Sequence, residues 1–366
     1  MKIIISKDTL AGLIGKIQGI VASKTTLPVL GNVLIEAVAD QLIISATDLF
    51  VSMRAYSDAK VIEEGAITLP ARRFFQLIRE LTAPQVEIHC PSPEVAYINA
   101  GSSRFKIQGM HKSEFPQFPD LSTESSLSVP PSLLKDMLSR CSFAAARDDE
   151  RHALNGILLK GKENQAVFLA TDGKRLAQLS ATVELPQEFC GSFILPLKAV
   201  DEMIKMLDEK EPQAKLILMP DKVSLEVGSV ILISKLLSGQ YPDVSRVIPQ
   251  KSEQAVTLHR EELMSLLRQV ALFTSEDSSS VRFSFNAGEL HLSAANGEVG
   301  EGRVSMPVNY GGPKVDVAFN PYYFLDILRH SKDETIELDI SDSYNPGLIT
   351  DSSSALFIIM PMRLEQ

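Results

Sequence analysis

The stretch "ATDGKRLA" (170–177) is the part of the chain that comes nearest to a catalytic motif. It superficially resembles a phosphate-binding loop, but it lacks the first glycine of GxxxxGKS/T and the Ser or Thr that follows the lysine. No GxSxG, HExxH or Cys/His ligand cluster occurs elsewhere in the sequence. The six histidines are scattered, so each is predicted to cap a helix, pack or face solvent.

Acidic residues do not form a metal site in the sequence. Asp148, Asp149 and Glu150 are consecutive, whereas two-metal nucleotidyl chemistry needs carboxylates that converge from separate strands. We interpret this run as a solvated loop. The sequence therefore predicts a protein that is not an enzyme, with no catalytic residue, metal or cofactor.

Length and composition indicate a globular protein of several domains. The chain has 366 residues, more than one hydrophobic core usually supports, so two or three domains are expected. Cys90, Cys141 and Cys190 form no CxxC, which suggests buried structural thiols in a reducing compartment. No apolar stretch approaches 18 residues and the N-terminus lacks a signal peptide, so we expect a cytoplasmic protein without membrane contact.

The same pattern of elements begins three times along the chain. Residues 3–21, 126–144 and 255–273 each show a short alternating run followed by an amphipathic helix, with apolar residues spaced i, i+3, i+4, i+7. Two strand-like runs then follow in each copy. Thr47, Thr171 and Ala295 hold matching places after the second run and are 124 residues apart. Coincidence among amphipathic patterns is the alternative interpretation.

A second helix follows in each copy, introduced by Pro70, Pro196 or Asn320, and further strands close the unit. The chain is thus predicted to consist of three β-α-β-β-β-α-β-β-β units of the α+β class. Separation of strands from helices favours antiparallel sheets that carry helices on one face.

Positive charge is concentrated in the predicted helices. Six helical segments with their N-terminal approaches hold 15 Lys or Arg and 8 Asp or Glu, although the net charge of the chain is −10. The segments are 7–24, 72–80, 132–147, 198–207, 260–268 and 321–332. A basic helical surface would attract phosphates without recognising bases, so any DNA contact should be salt-sensitive and sequence-independent. Ordinary solvated helix faces are the alternative.

Several motifs in combination resemble one known family, the bacterial replicative sliding clamp, the β subunit of DNA polymerase III. Besides the threefold repeat and "ATDGKRLA", the motifs are "LPVLGNVLIEA" (27–37), "TLPARRFFQLIREL" (68–81), "LNGILL" (154–159), "YPDVSRVIP" (241–249) and "MPMRL" (360–364). The resemblance implies three clamp domains, 1–122, 123–250 and 251–366. It also implies a head-to-tail homodimeric ring of six domains, with helices lining the hole and sheets outside.

The family's partner-peptide cleft is expected between the second and third domains. The residues carried over by the resemblance are Leu154, Thr171, Gly173, Lys174, Arg175, Leu176, Pro242, Arg246, Val247, Ser278, Asn320, Tyr323, Met360, Pro361, Met362 and Arg363. Two positions depart from common family patterns: Ser278 stands where some members have an aromatic residue, and Lys174 where some have His. Both changes could alter peptide preference.

The resemblance also implies DNA contacts and a dimer interface. The expected DNA-binding residues are Lys24, Arg73, Arg147, Arg151, Lys198 and Arg246. The expected interface residues are Arg73, Arg104, Phe105, Ile107, Leu272, Phe273, Glu298 and Glu301. The matching loop of this chain, "RDDERHA" (147–153), contains acidic residues, so Asp148 and Asp149 could weaken DNA contact locally.

Together these inferences predict a non-catalytic processivity clamp of the polymerase holoenzyme, which is a DNA-directed DNA polymerase. It would encircle double-stranded DNA in the cytoplasm, associate with the nucleoid during replication, and tether the polymerase, the clamp loader and other proteins. A monomeric peptide-binding scaffold that never touches DNA is the rival interpretation. A nucleotide-processing enzyme is the catalytic rival.

Overall fold

The computed structural model describes residues 1–22, 26–120, 126–208, 210–249, 255–275 and 279–363. In each repeat a strand and a helix precede four strands, a second helix and three strands; the first repeat adds one short strand. The first repeat comprises β1 Lys2–Ser6, α1 Lys7–Ile17, β2 Asn32–Val38, β3 Gln41–Thr47, β4 Val51–Asp58, β5 Lys60–Glu63, β6 Gly65–Pro70, α2 Ala71–Glu80, β7 Gln85–Ser92, β8 Val95–Ala100 and β9 Ser103–Gln108.

The second and third repeats follow the same order. The second comprises β10 Leu127–Val129, α3 Pro131–Ser142, β11 Gly156–Lys162, β12 Gln165–Thr171, β13 Arg175–Thr182, β14 Gly191–Pro196, α4 Leu197–Met206, β15 Ala214–Leu218, β16 Lys222–Val227 and β17 Val230–Lys235. The third comprises β18 Val256–His259, α5 Arg260–Ala271, β19 Val281–Asn286, β20 Glu289–Asn296, β21 Gly300–Pro307, β22 Val315–Phe319, α6 Pro321–His330, β23 Thr335–Asp339, β24 Gly347–Thr350 and β25 Leu356–Ile359.

The predicted order of elements was wrong in one respect. Each repeat has a further strand directly before its second helix, namely β6, β14 or β22. The sequence predicts no strand here, because Pro70, Pro196 and Asn320 mark a helix start. The residues before those starts instead pair with a neighbouring strand, as Val33 of β2 does with Leu69 of β6.

The amphipathic spacing of the first helix is confirmed. Leu10, Leu13, Ile14 and Ile17 of α1 are buried, and the Ser6 hydroxyl caps the helix by accepting a hydrogen bond from the Thr9 N–H at 3.2 Å. In α5 the same spacing predicts a buried face of Leu263, Leu266, Leu267 and Val270, which is partly wrong. Leu266 is only partly buried, whereas Met264 is buried.

The helices are shorter than the segments used for counting charge. Arg147 and Lys332 lie beyond the ends of α3 and α6, and Lys24 falls outside the described residues. Arg140 of α3 is buried in an ion pair and does not contribute to a basic surface. The concentration of positive charge on the helices is therefore weaker than the sequence suggested.

One compact unit contains the first repeat together with the start and the end of the second, Met1–Lys135 with Lys198–Leu236. It holds a five-stranded sheet of order β5-β1-β7-β8-β9 and an eight-stranded sheet of order β10-β15-β16-β17-β4-β3-β2-β6. In the larger sheet β17 of the second repeat pairs with β4 of the first, antiparallel. We call this junction of two repeats the first seam.

The other compact unit contains Asp136–Leu197 with Leu237–Gln366. Its eight-stranded sheet has the order β14-β11-β12-β13-β25-β24-β23-β18, and its four-stranded sheet the order β21-β20-β19-β22. Here β25 of the third repeat pairs with β13 of the second, again antiparallel. This is the second seam, and every named strand pair of both units is antiparallel, as predicted.

A buried ion pair lies in this second unit. The side chain of Arg140 is 5% exposed and contacts Asp351, whose side chain is fully buried. The Arg140 Nε donates to the His330 carbonyl at 2.6 Å, and Nη1 donates to the Ser353 hydroxyl at 3.0 Å. The guanidinium thus joins α3 to the end of α6 and to the turn between β24 and β25.

The cysteines only partly match the prediction. Cys90 and Cys141 are buried, and burial raises the pKa of the Cys90 thiol to about 11. Cys190 is exposed, so the expectation of three buried thiols was wrong there. In the part of the chain that the structure describes, no helix is long and apolar enough to span a bilayer.

Candidate functional site

The turn that joins β12 to β13 is held by its own side chains. The Thr171 hydroxyl accepts from the Gly173 N–H at 3.0 Å, and Asp172 Oδ1 accepts from the N–H groups of Lys174 and Arg175 at 2.9 and 3.0 Å. Gly173 has φ of +86°, a conformation that glycine adopts without strain. The turn therefore presents a fixed backbone surface.

Arg175 connects this turn to α6. Its guanidinium contacts Asp172 at 3.1 Å and Asp326 at 2.6 Å, and it lies 4.6 Å from the centre of the Tyr323 ring. The Phe143 ring is on another side at 5.4 Å. Because the Arg175 side chain is only 12% exposed, these partners fix its position and leave an apolar, aromatic wall beside the turn.

An apolar cluster forms the floor beside the turn. Leu154, Leu176, Tyr241 and Ile358 are buried together there, with Val244 packed against them. The Tyr241 hydroxyl accepts from the Thr171 N–H at 3.0 Å, and burial raises the pKa of this phenol, so it stays neutral. The floor is thus tied to the turn by a hydrogen bond.

The segment after β25 completes this surface. The Met360 N–H donates to the Lys174 carbonyl at 2.9 Å, and the Met362 N–H donates to the Ala318 carbonyl at 2.8 Å. The Met360 side chain is 37% exposed. Asn320, next to β22, caps α6 by accepting from the N–H groups of Tyr322 and Tyr323. The methionines consequently lie in an ordered segment that is attached to the turn.

The structure links most of the predicted cleft residues within the second unit. Those joined by the contacts above are Leu154, Thr171, Gly173, Lys174, Arg175, Leu176, Asn320, Tyr323, Met360 and Met362. Pro242, Arg246 and Val247 are exposed in the segment that follows Tyr241, Pro361 is partly buried and Arg363 is exposed. Ser278 lies outside the described residues, so its role stays a prediction.

Arg151 lies at this surface, although the family resemblance implies a DNA contact for it. Its guanidinium is 3.4 Å from where a Cβ atom on Gly173 would stand. Asp149 holds it at 3.0 Å, and this hydrogen bonding lowers the pKa of the Asp149 carboxyl to about 2. The acidic run is thus a loop, as predicted, and one of its acids orients an arginine beside the turn.

Sequence reasoning missed an exposed aromatic residue before β24. Tyr344 is 87% exposed, on a turn in which Asp342 accepts hydrogen bonds from the Tyr344 and Asn345 N–H groups. Three residues later, Gly347 of β24 pairs with Ile359, the residue before Met360. An exposed aromatic ring on a rigid turn is typical of a binding anchor. The "SYNPG" turn signal could have drawn attention to it.

The remaining predicted residues are spread over the two units. Arg73 is exposed on α2, Arg147 follows α3, and Lys198 of α4 contacts Asp48 at 2.5 Å and the Ile20 carbonyl at 3.4 Å. Lys24 lies outside the described residues. The structure does not assign a ligand to any of these side chains, and their DNA role stays a prediction.

The predicted interface residues lie on the edge strands β9 and β21, on α2, just after α5 and in the turn before β21. In the first unit Phe105 of β9 is 39% exposed, Ile107 is buried and Arg104 is exposed. In the second unit Leu272 is 73% exposed just after α5, and the Phe273 ring lies against Gly302 of β21. Glu298 and Glu301 are exposed beside them.

His330 makes the second unit sensitive to acid. Burial lowers its pKa from the ordinary value of 6.5; the Asp326 carbonyl opposes this effect, and the charges of Arg140 and Arg175 add to it. The ring stacks on Phe143 with centroids 4.4 Å apart. A lowered pKa means that the unfolded chain binds the proton more readily, so this contribution is present above pH 6.5 and is lost as the pH falls through the folded-state pKa.

We therefore expect urea unfolding of the second unit to shift to lower midpoints as the pH falls below about 6.5. His330→Phe, which keeps a ring on Phe143, should flatten this dependence. A midpoint that fell equally steeply in the variant would contradict the assignment to His330.

Comparison with known proteins gives matches along the whole chain. Sequence models of the DNA polymerase III beta subunit match its N-terminal domain at residues 1–119, its central domain at 128–243 and its C-terminal domain at 245–363. The beta sliding clamp of Chlamydia pneumoniae is 52% identical over 364 residues, covering 100% of this chain and 99% of that protein. The beta sliding clamp of Escherichia coli K12 is 30% identical, with both chains fully covered.

Solved structures agree with the sequence comparison. The crystal structure of a sliding clamp from Pseudomonas aeruginosa, bound to griselimycin, has a TM-score of 0.94 with 29% identity and covers 100% of both chains. Three tandem α+β domains of one kind therefore make up the chain, as its repeats predicted. The exact domain limits stay a prediction.

Proposed function

Because the chain belongs to the family of the DNA polymerase III beta subunit, the sliding clamps, we propose that it is a processivity factor of replication. Two copies join head to tail into a ring of six domains, with limits at 1–122, 123–250 and 251–366 in each copy. The ring encloses duplex DNA and tethers replication proteins to it. It works in the cytoplasm, at the nucleoid during replication, and performs no catalysis itself.

The observation that carries this proposal is a pair of edge strands that take part in neither seam. The last strand of the second repeat pairs with β4, and the last strand of the third repeat pairs with β13. β9 is the last strand of the first repeat, and β21 is the counterpart of β4 and β13 in the third repeat. Neither has such a partner, and each lies at the edge of its sheet. Exposed edges favour pairing with another chain. Pairing β9 of one copy with β21 of the next supplies the third seam.

The interface residues fit such a join. Phe105 and Ile107 of one copy would meet Leu272 and Phe273 of the other. The apolar face of β9 and the exposed Leu272 would thereby leave water. Arg73 of one copy would lie near the acidic side chains of Glu298 and Glu301 of the other, while the partner of Arg104 depends on the register of the join. These assignments belong to the proposal.

The surface around the turn 171–175 supports binding of a partner peptide. It combines a fixed turn, an aromatic wall, an apolar floor and two methionines, a chemistry that suits short apolar segments of several partners. The replicative polymerase, the clamp loader and other clamp-binding proteins would share it. Departure from common family patterns at Lys174 and Ser278 would tune their preference.

Topology, not affinity, would hold the DNA. With a net charge of −10, the protein needs only to tolerate phosphates near its basic side chains. The side chains proposed for these contacts are Lys24, Arg73, Arg147, Arg151, Lys198 and Arg246. Since Arg151 lies beside Gly173, it can serve the peptide as well as the DNA.

Retention on circular DNA tests this function. We expect a labelled clamp, loaded by its loader ATPase on nicked circular DNA, to elute with the circle and to fall off after the circle is cut. A strictly monomeric protein at micromolar concentration that the circle did not retain would overturn the ring. Peptide binding without retention would instead favour the monomeric scaffold.

A second measurement addresses catalysis. Incubation of the clamp with labelled DNA, nucleotides and Mg²⁺ should give no turnover. Among the described residues no group of three or more His, Cys, Asp and Glu side chains could hold a metal ion. Turnover that co-purified with the chain would favour the nucleotide-processing alternative.

A further inference from the structure

The two seams determine the register expected of the third. Arg54 of β4, Gln178 of β13 and Arg303 of β21 hold the same place in their repeats. On the neighbouring strand Arg54 pairs with Ser45, Gln178 with Leu169 and Arg303 with Ser293. These three partners follow one another at intervals of 124 residues in the sequence. Across the seams Arg54 faces Ile231, and Gln178 faces Leu356.

In the first repeat, Arg104 occupies the position that corresponds to Ile231 and Leu356. Ile231 pairs with Glu226, Leu356 with Thr350 and Arg104 with Asn99, the matching position of the preceding strand in each repeat. A third seam with the same register therefore sets Arg104 of one copy directly opposite Arg303 of the other. Two residues along, it sets Lys106 opposite Glu301.

This arrangement differs from both seams within the chain. There a polar side chain faces an aliphatic one, whereas two guanidinium groups face each other in the third seam. Like charges directly opposite on neighbouring strands destabilise the pairing. Glu301 does not remove the repulsion, because the same register occupies it with Lys106. With Arg104, Lys106 and Arg303 against Glu301, the third seam would thus hold an excess of positive charge on one face of the joined sheet.

The surroundings of Arg303 form an open recess on that face. The recess has a volume of ≈ 980 Å³, and its lining includes Arg282, His291, Ser293, Glu301 and Arg303. Arg282 faces Ser293 from the strand on its other side, so Ser293 lies between two arginines. His291 is 3.2 Å from Glu289. In the first unit the Arg104 Nη1 donates to the carbonyls of Gly101 and Ser103, which directs the guanidinium to the end of β9.

We propose that an oxyanion of the phosphate class binds between Arg104 of one copy and Arg303 of the other, and that it stabilises the closed ring. This proposal rests on the proposed function, since each copy contributes one arginine. Guanidinium groups bind phosphate oxygens through paired N–H donors, and the Ser293 hydroxyl can add another. The anion replaces repulsion between the two cations with two attractive contacts. Ring closure thereby depends on which anion is present, and not only on the ionic strength of the solution.

Sedimentation of the dimer tests the proposal. The dissociation constant is measured at one ionic strength, set with chloride alone, with inorganic phosphate, or with a nucleoside triphosphate. We expect phosphate to lower the dissociation constant by about tenfold, the effect of one or two charge-assisted hydrogen bonds. A response to the nucleotide but not to inorganic phosphate would identify a nucleotide as the source of the anion.

Charge variants separate the site from general salt effects. In chloride alone, Arg303→Ser and Arg303→Glu should both tighten the dimer, the second more because it places opposite charges face to face. Both should lose the response to phosphate. Arg329→Ser, on an exposed face of α6, serves as the control and should respond like the unaltered protein.

The outcomes distinguish this site from the function on which it rests. A dimer whose dissociation constant ignores phosphate, or an Arg303→Ser dimer that still responds to it, would overturn the anion site and leave the ring intact. A protein that stays monomeric in every buffer would overturn the ring and the site together.

Discussion

Replacing Arg140 by methionine is expected to destabilise the second unit by about 3–5 kcal/mol, the cost of breaking a buried ion pair from one side. Methionine occupies similar space, so the loss comes from the Asp351 carboxylate, which would stay fully buried without its counter-charge. The hydrogen bonds from Arg140 to the His330 carbonyl and the Ser353 hydroxyl would also be lost. Urea unfolding followed by circular dichroism measures the change.

The matched control for this variant is Arg329→Met. Arg329 pairs with Asp326 at 2.8 Å, but its side chain is 51% exposed, so its loss should cost less than about 1 kcal/mol. Adding Asp351→Asn to Arg140→Met removes the unpaired charge and should recover part of the stability. Equal losses for Arg140→Met and Arg329→Met would contradict a stabilising role of the buried pair.

Removing the side chains of Met360 and Met362 is expected to abolish most partner-peptide binding. In Met360→Ala/Met362→Ala the backbone hydrogen bonds to Lys174 and Ala318 remain available, whereas the apolar contact surface is lost. We expect affinity to fall by more than about thirtyfold, the effect of losing one interface hot spot of about 2 kcal/mol. Fluorescence anisotropy with a labelled peptide from the clamp-contacting segment of the replicative polymerase gives the affinity.

Val38→Ala is the control for the methionine variant. Val38 is an exposed apolar residue on β2 of the first unit, 51% exposed against 37% for Met360. Its truncation should leave peptide affinity unchanged, and both proteins should form dimers alike. If the double methionine variant bound the peptide within about 1 kcal/mol of the unaltered protein, the assignment of the cleft would be refuted.

The elements that follow local rules could be predicted from the sequence. The α1 stripe of Leu10, Leu13, Ile14 and Ile17 and the hairpin turns at Ala39 and Glu163, both with positive φ, follow from spacing and turn residues. The extra strands β6, β14 and β22 were missed because each ends at a helix-start residue. A short apolar run there is compatible with either element.

Contacts between distant parts of the chain left no signal. Arg140 and Asp351 are 211 residues apart, and no feature of either segment indicates that the two side chains pair. Arg175 was predicted as a cleft residue, but its partner Asp326 on α6 was not. Strand pairing across repeats is equally non-local, so neither seam followed from periodicity. The cleft could be proposed only because the family resemblance identified its residues. Composition and spacing alone did not group them.

The seams have a consequence for how such a chain can be rearranged. The middle repeat is divided: β11 to β14 share a sheet with strands of the third repeat, whereas β10 and β15 to β17 share one with strands of the first. A gene fragment cut at the repeat boundaries would yield a piece with two unmatched sheet edges, prone to assemble with copies of itself. Fragments cut near residues 135, 197 or 236 would also divide at least one eight-stranded sheet, because each unit is built from two separate segments of the chain. No single cut along the chain therefore separates the two units from each other.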